Sequence, residues 1–170
     1  ILRIGLVGSI YKSIVVKYIK SSEVSMHPRG WDTDFSHQRK VKSYEVESEW
    51  YLNWSFRCDE SCRVPVCFAI ESFENEVLIV LEDLNETQFC ETRAALSSIE
   101  IQACLNWLAG FHARFMKEDP GDLWKQGTYW HLNTRPDELA KMLDSPLKEN
   151  AFLIDEKLYQ SSFKTIVHGD

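Results

Sequence analysis

The chain has 170 residues, 44% of them hydrophobic, with six Trp and nine Phe, a net charge of −7 and a sequence pI of about 5.3. This supports a buried core of one or two domains, and the acidic balance argues against a nucleic-acid partner, which a basic face would hold. No run approaches the roughly 18 apolar residues of a membrane span, and the opening residues alternate apolar with Arg, Lys and Gly, unlike a secretory leader; a cytoplasmic location is expected.

The first residues carry the strongest local signals. Ile4-Gly5-Leu6-Val7-Gly8-Ser9-Ile10-Tyr11 reads as strand, glycine loop and strand, and Ile14-Val15-Val16-Lys17-Tyr18-Ile19 as a further strand. A hairpin turn needs room and usually Gly, Asn or Asp, which Lys12-Ser13 does not offer, so residues are expected to be missing between them. A polar loop over 21–36 holds Pro28 and Gly30. An amphipathic helix is predicted over 38–54, where Val41, Tyr44, Glu47, Ser48 and Tyr51 recur at helical intervals and Trp50 and Trp54 add an apolar edge. His37, Arg39 and Lys40 read as its solvated start.

Two β-rich runs, Val64-Pro65-Val66-Cys67-Phe68-Ala69-Ile70 and Val77-Leu78-Ile79-Val80-Leu81, predict a hairpin joined by the polar stretch 71–76. The second run ends in Glu82-Asp83-Leu84, and composition then becomes helix-like. The expected division is therefore 1–84 and 85–170. Ser97 and Glu100 form a capping box ahead of a long core helix whose stripe is Ile101, Cys104, Leu105, Leu108, Phe111, His112 and Phe115. His112 reads there as a hydrogen-bonded core residue. Thr134-Arg135-Pro136-Asp137, with a cap, an early Pro and an acidic first turn, opens another helix through Leu139, Met142 and Leu143. Residues 151–162 read as one more.

Of the five cysteines, Cys58, Cys62 and Cys67 cluster, but without the close pairs or neighbouring His of a zinc site. They read as reduced core thiols, and no metal ligand is assigned. There is no internal repeat and no low-complexity tract. The chain lacks an initiator Met and stops at Val167-His168-Gly169-Asp170, so it reads as a fragment of a longer protein.

The order of elements points to phosphoryl transfer, which needs positioning and charge stabilisation more than covalent chemistry. Backbone amides near Gly8 and Ser9 could approach a triphosphate without a Cβ in the way. Lys17 would project from its strand to the phosphates, with Glu47 holding the ammonium in place. Main-chain groups of Glu82, Asp83 and Leu84 would meet adenine, side-chain identity mattering less. Asp170, after a short apolar run and a His-Gly turn, would sit at a strand end and accept the proton of a substrate hydroxyl.

Ser36-His37-Gln38-Arg39-Lys40-Val41-Lys42-Ser43-Tyr44-Glu45-Val46-Glu47, Trp50-Tyr51, Leu81-Glu82-Asp83-Leu84, Phe111-His112-Ala113, Gly127-Thr128-Tyr129-Trp130-His131-Leu132, Thr134-Arg135-Pro136 and Val167-His168-Gly169-Asp170 occur in that order along nearly the whole chain. In these stretches it resembles the aminoglycoside phosphotransferase and choline kinase superfamily, most closely the CHK kinase-like (ecdysteroid kinase-like) branch. The resemblance implies an α+β, two-lobed protein-kinase-like fold: an antiparallel-sheet N-lobe and a mostly helical C-lobe that is truncated here. It further implies ATP and Mg²⁺ as cofactors and phosphorylation of a small-molecule hydroxyl. The family's metal-binding Asn and Asp, which follow the catalytic Asp, have no counterpart in these residues, and the glycine loop is weaker than the family's. The other reading is a non-catalytic relative that binds a nucleotide or a partner.

Overall fold

The computed structural model describes residues 1–20, 34–74, 76–127 and 131–168. Among them the protein is mixed α+β, with one antiparallel four-stranded sheet and five α-helices. The chain divides into two compact units, Ile1–Phe111 and His112–Asp170. This division falls inside a helix, whereas the composition of the sequence changes after Leu84.

In the first unit, β1 (Leu2–Gly5) pairs antiparallel with β2 (Ser13–Lys20), Leu2 opposite Val16 and Gly5 opposite Ser13. Residues 6–12 form a single connecting loop, closed at its base by the Leu6 amide donating to the Lys12 carbonyl over 2.7 Å. The strand expected after the glycine loop, towards Tyr11, does not form. Val7 and Ile10 are more than nine-tenths exposed, so no apolar face is buried to favour a pleated strand there. Because β1 leads directly into β2, no turn is needed at Lys12-Ser13, which was the ground for expecting residues to be missing.

The predicted hairpin is present as β3 (Cys67–Phe73) and β4 (Glu76–Glu82), and the sheet order is β1-β2-β4-β3. β3 begins later than the apolar run because Pro65 lacks the amide a ladder needs. It extends into the polar stretch expected as a connection, carried by its pairing with β4 as far as Phe73 opposite Glu76. A register shift between Cys67 and Ala69 leaves Phe68 as a bulge.

Across the central pair, Val15, Lys17 and Ile19 stand opposite Leu81, Ile79 and Val77. Strand alternation therefore puts all six on one face. Ile19, Ile79 and Leu81 make the buried cluster there, with Val15, Tyr44, Tyr51, Cys67, Ile70 and Val77 packed on it. The tyrosines come from α1 (Asp34–Asn53), which takes up the predicted helix. Their spacing of two turns aims both rings at the sheet. Ile79 is wholly buried, which stabilises the fold by about 1.5–3 kcal/mol.

α2 (Ser98–Arg114) starts with the predicted capping box. The Ser97 amide donates to Glu100 Oε2 over 2.8 Å, and the Glu100 amide donates to Ser97 Oγ over 3.3 Å. Only the C-terminal part of its predicted stripe is buried: Phe111 is 1% and Phe115 0% exposed, whereas Ile101 and Leu105 are about half exposed. Phe111 stacks on Trp107 at 5.2 Å and meets Trp50 of α1 at 5.5 Å.

The second unit holds α3 (Pro136–Lys141), α4 (Pro146–Glu149) and α5 (Ala151–Tyr159). Thr134 does not cap α3, because its hydroxyl donates to the His131 carbonyl at 2.7 Å and Arg135 takes the cap position without a side-chain bond. Met142 is extended and ends that helix, so Met142 and Leu143 lie beyond it. Phe163, Lys164, Thr165, Ile166 and Val167 form no strand. Isolated bonds hold them instead of a ladder: the Lys117 amide donates to the Lys164 carbonyl, the Thr165 hydroxyl to the His112 carbonyl, and the Phe163 amide to Ser161 Oγ. No helix among the described residues is long and apolar enough to cross a membrane.

Candidate functional site

The chemistry-bearing residues of the first unit lie along one face of β2. Ser13, Val15, Lys17 and Ile19 alternate onto that face, and with Ile14 opposite Glu82 the next register step brings Asp83 to Ser13. At about 3.3 Å per residue, Ser13 and Lys17 are roughly 13 Å apart along the strand. The face thus has a polar end, an apolar middle at Val15 and Leu81, and a cationic end.

At the cationic end Lys17 Nζ donates to Glu47 Oε2 of α1 over 2.5 Å, with both side chains about one-quarter exposed. The ammonium also lies 5.7 Å from the centre of the Tyr44 ring, a cation–π distance. Glu47 is reached because residues 44, 47 and 51 share one helix face. Tyr51, one turn on, has its phenol pushed up to about 12 by burial first, and then by the charges of Glu47 and the Cys67 thiol.

At the polar end the Asp83 carboxylate is buried and meets three donors. Ser13 Oγ donates to Oδ2 over 2.7 Å, Arg3 Nε lies 2.6 Å from the same oxygen, and the Asn85 amide donates to Oδ1 over 3.1 Å. The Ser13 hydroxyl, with the Asn85 amide and Arg3, outweighs burial and holds this carboxyl below its usual range. Glu82 is likewise committed: Oε1 takes Arg63 over 2.6 Å and Oε2 takes the Val66 amide over 3.1 Å. The Asp83 and Leu84 carbonyls accept from the Glu86 and Thr87 amides in a short 3-10 turn. The side chains of this strand end, given little weight in the sequence, bind β1, β2 and the Arg63 segment together.

Gly8 and Ser9 sit in the exposed loop 6–12. Gly8 has φ of +75° with open space where a Cβ would be, so its backbone is accessible and glycine suits it. Ser9 Oγ accepts from the Tyr11 amide over 3.1 Å. Tyr11 in turn meets Phe68 at 4.7 Å. Between loop and strand end is a cavity of about 250 Å³, lined by Ile10, Tyr11, Lys12, Ser13, Glu82, Asp83, Glu86 and Thr87. Ligand sites run to roughly 300–1,000 Å³, so this one suits part of a ligand.

The structure therefore brings Lys17 to Glu47, and the loop of Gly8 and Ser9 to the strand end of Glu82, Asp83 and Leu84. Asp170 lies outside the described residues. Cys62 is fully buried and Cys58 and Cys67 partly so; among the described residues no group of three His, Cys, Asp or Glu could hold a metal ion. Sequence reasoning missed Arg3 and Ser13, whose only signal was their place flanking the glycine loop. In the second unit His131 Nδ1 accepts from the Asn133 amide at 3.3 Å and Nε2 lies 3.2 Å from Asp155 Oδ1, outside hydrogen-bond alignment. Both ring nitrogens are turned to the protein.

No protein-family model matches the chain, and no curated protein or solved structure matches it either.

Proposed function

We propose that the protein is an ATP-dependent small-molecule kinase, with a two-lobed kinase-like fold, that transfers the γ-phosphoryl group to a substrate hydroxyl. The observation that carries this reading is the Lys17–Glu47 pair: a strand lysine held at 2.5 Å by a helix glutamate, at the cationic end of a face whose other end is polar. An ammonium has three donors, so one bond to Glu47 leaves two for phosphate oxygens. Glu47 fixes where that charge sits, and such pre-organised charge is what phosphoryl transfer requires.

In this reading the accessible backbone around Gly8 and Ser9 receives phosphate oxygens, and the strand end at Glu82, Asp83 and Leu84 receives the adenine. Asp170 takes the proton of the acceptor hydroxyl as the phosphorus–oxygen bond forms, and ADP leaves with the electrons of the broken bond. Among the described residues no group of three His, Cys, Asp or Glu could hold Mg²⁺.

The test is a thermal-shift titration of the full-length protein with ATP and Mg²⁺ beside Lys17→Ala, followed by turnover of Asp170→Asn. A rise in melting temperature that Lys17→Ala loses, with turnover abolished in Asp170→Asn, supports the reading. Absence of any shift overturns it, and binding without turnover in the wild type would leave a non-catalytic nucleotide binder.

A further inference from the structure

The base of the glycine loop is tied to the end of β4 at two neighbouring positions. Ser13 reaches the buried Asp83 carboxylate at 2.7 Å, while Lys12 Nζ lies 3.6 Å from Glu86 Oε2, an ion pair exposed enough to matter little. Arg3 brings β1, the other strand at the base, to the same Asp83 oxygen at 2.6 Å. Both strands flanking residues 6–12 thus converge on one carboxylate, and that carboxylate also caps the turn after β4. With three donors on its two oxygens, the Asp83 carboxylate, as distinct from its main chain, is occupied by the protein itself and is not poised as a ligand contact.

We propose that Asp83 is a positioning residue: by gathering Ser13, Arg3 and Asn85 it fixes the height of the loop 6–12 over the strand end, and so sets the affinity for nucleotide. The inference rests on the kinase reading and deepens it. Only a carboxylate serves all three donors. An asparagine at this position has one oxygen, and either orientation of its amide turns an N–H toward an N–H, against Asn85 or against Arg3. Ser13 has no such rigidity, and a hydroxyl on threonine could replace it.

The experiment compares Asp83→Asn, Ser13→Ala and Ser13→Thr in the full-length protein by amide hydrogen exchange and by ATP kinetics. Expected for Asp83→Asn and Ser13→Ala is exchange about tenfold faster at Leu6 and Tyr11, the loss of one bond to a charged group, with Ile79 unchanged. The KM for ATP is expected to rise by a similar factor, about tenfold, and kcat to change much less. Ser13→Thr should restore both. Unchanged loop exchange, equal acceleration at Ile79, or a fall in kcat without a change in KM would overturn the proposal. If Asp83→Asn does not fold, the two Ser13 variants decide it. If the wild type neither binds nor uses ATP, the kinase reading falls, and loop exchange alone decides whether Asp83 positions the loop.

Discussion

Lys17 Nζ on β2 and Glu47 Oε2 on α1 lie 2.5 Å apart, each side chain only about one-quarter exposed. A half-screened pair of this kind contributes little to folding, about 1 kcal/mol or less, but it fixes a charge. Lys17→Met is therefore expected to shift the denaturation free energy by no more than that, while kcat/KM falls about a hundredfold or more. Parallel loss of stability and activity would show the pair to be structural.

Acid should weaken the fold through particular carboxylates. Asp83 is held below its usual range by the Ser13 hydroxyl, Glu76 by the Tyr18 hydroxyl and then Lys20, and Glu100 by the Ser97 amide and hydroxyl. For a depressed group the unfolded chain takes up protons first, so the stabilisation is complete above ordinary carboxylate values. It is lost as pH falls below about 4 and through the lowered native values. Urea midpoints measured between about pH 6 and pH 3 should decline, and less steeply in Asp83→Asn.

Alkali acts through Tyr51. Its phenol is pushed from 10.0 up to about 12 by burial, and then by Glu47 and Cys67. Here the native state keeps its proton longer than the unfolded chain, so stability is unaffected below about pH 10 and falls between about 10 and 12. Ultraviolet titration should show a late-ionising tyrosine that Tyr51→Phe removes.

Gly110 sits in α2, where alanine would ordinarily gain about 1 kcal/mol. A Cβ at this position would stand 2.7 Å from the Ser61 carbonyl oxygen, a backbone atom unable to swing aside. Gly110→Ala is expected to destabilise the protein by about 1–3 kcal/mol, read as a lower urea midpoint; a stabilised variant would refute the close approach.

Local patterns announced local structure. The capping box at Ser97 and Glu100, the helix carrying Tyr44 and Tyr51, and the hairpin of β3 and β4 all follow from residues within a turn or two of each other. Periodicity failed where the partner, not the pattern, decides: Val7 and Ile10 have the composition of a strand and no face to bury. Ile101 and Leu105 continue a core stripe yet are half exposed. The tie between Ser13 and Asp83, 70 residues apart, has no local signature. Trp107 Nε1 donating to the Arg63 carbonyl over 2.9 Å is equally silent in sequence. The Lys17–Glu47 pair was expected from the order of elements, a strand lysine followed by a helix glutamate, and not from any local pattern around either residue.

The central pairing of β2 with β4, Ile14 opposite Glu82 and Lys20 opposite Glu76, spans most of the first unit. Loop-closure entropy must be overcome before any of those ladder bonds form, and pairing between strands this far apart in sequence is intrinsically slow to form. The glycine loop hangs from β1 and β2, and a two-stranded hairpin alone is marginal in water. A peptide of residues 1–20 would carry the loop's sequence without its shape, and mutations at distant Asp83 or Ile79 would act on the loop's kinetic lifetime as directly as changes within it.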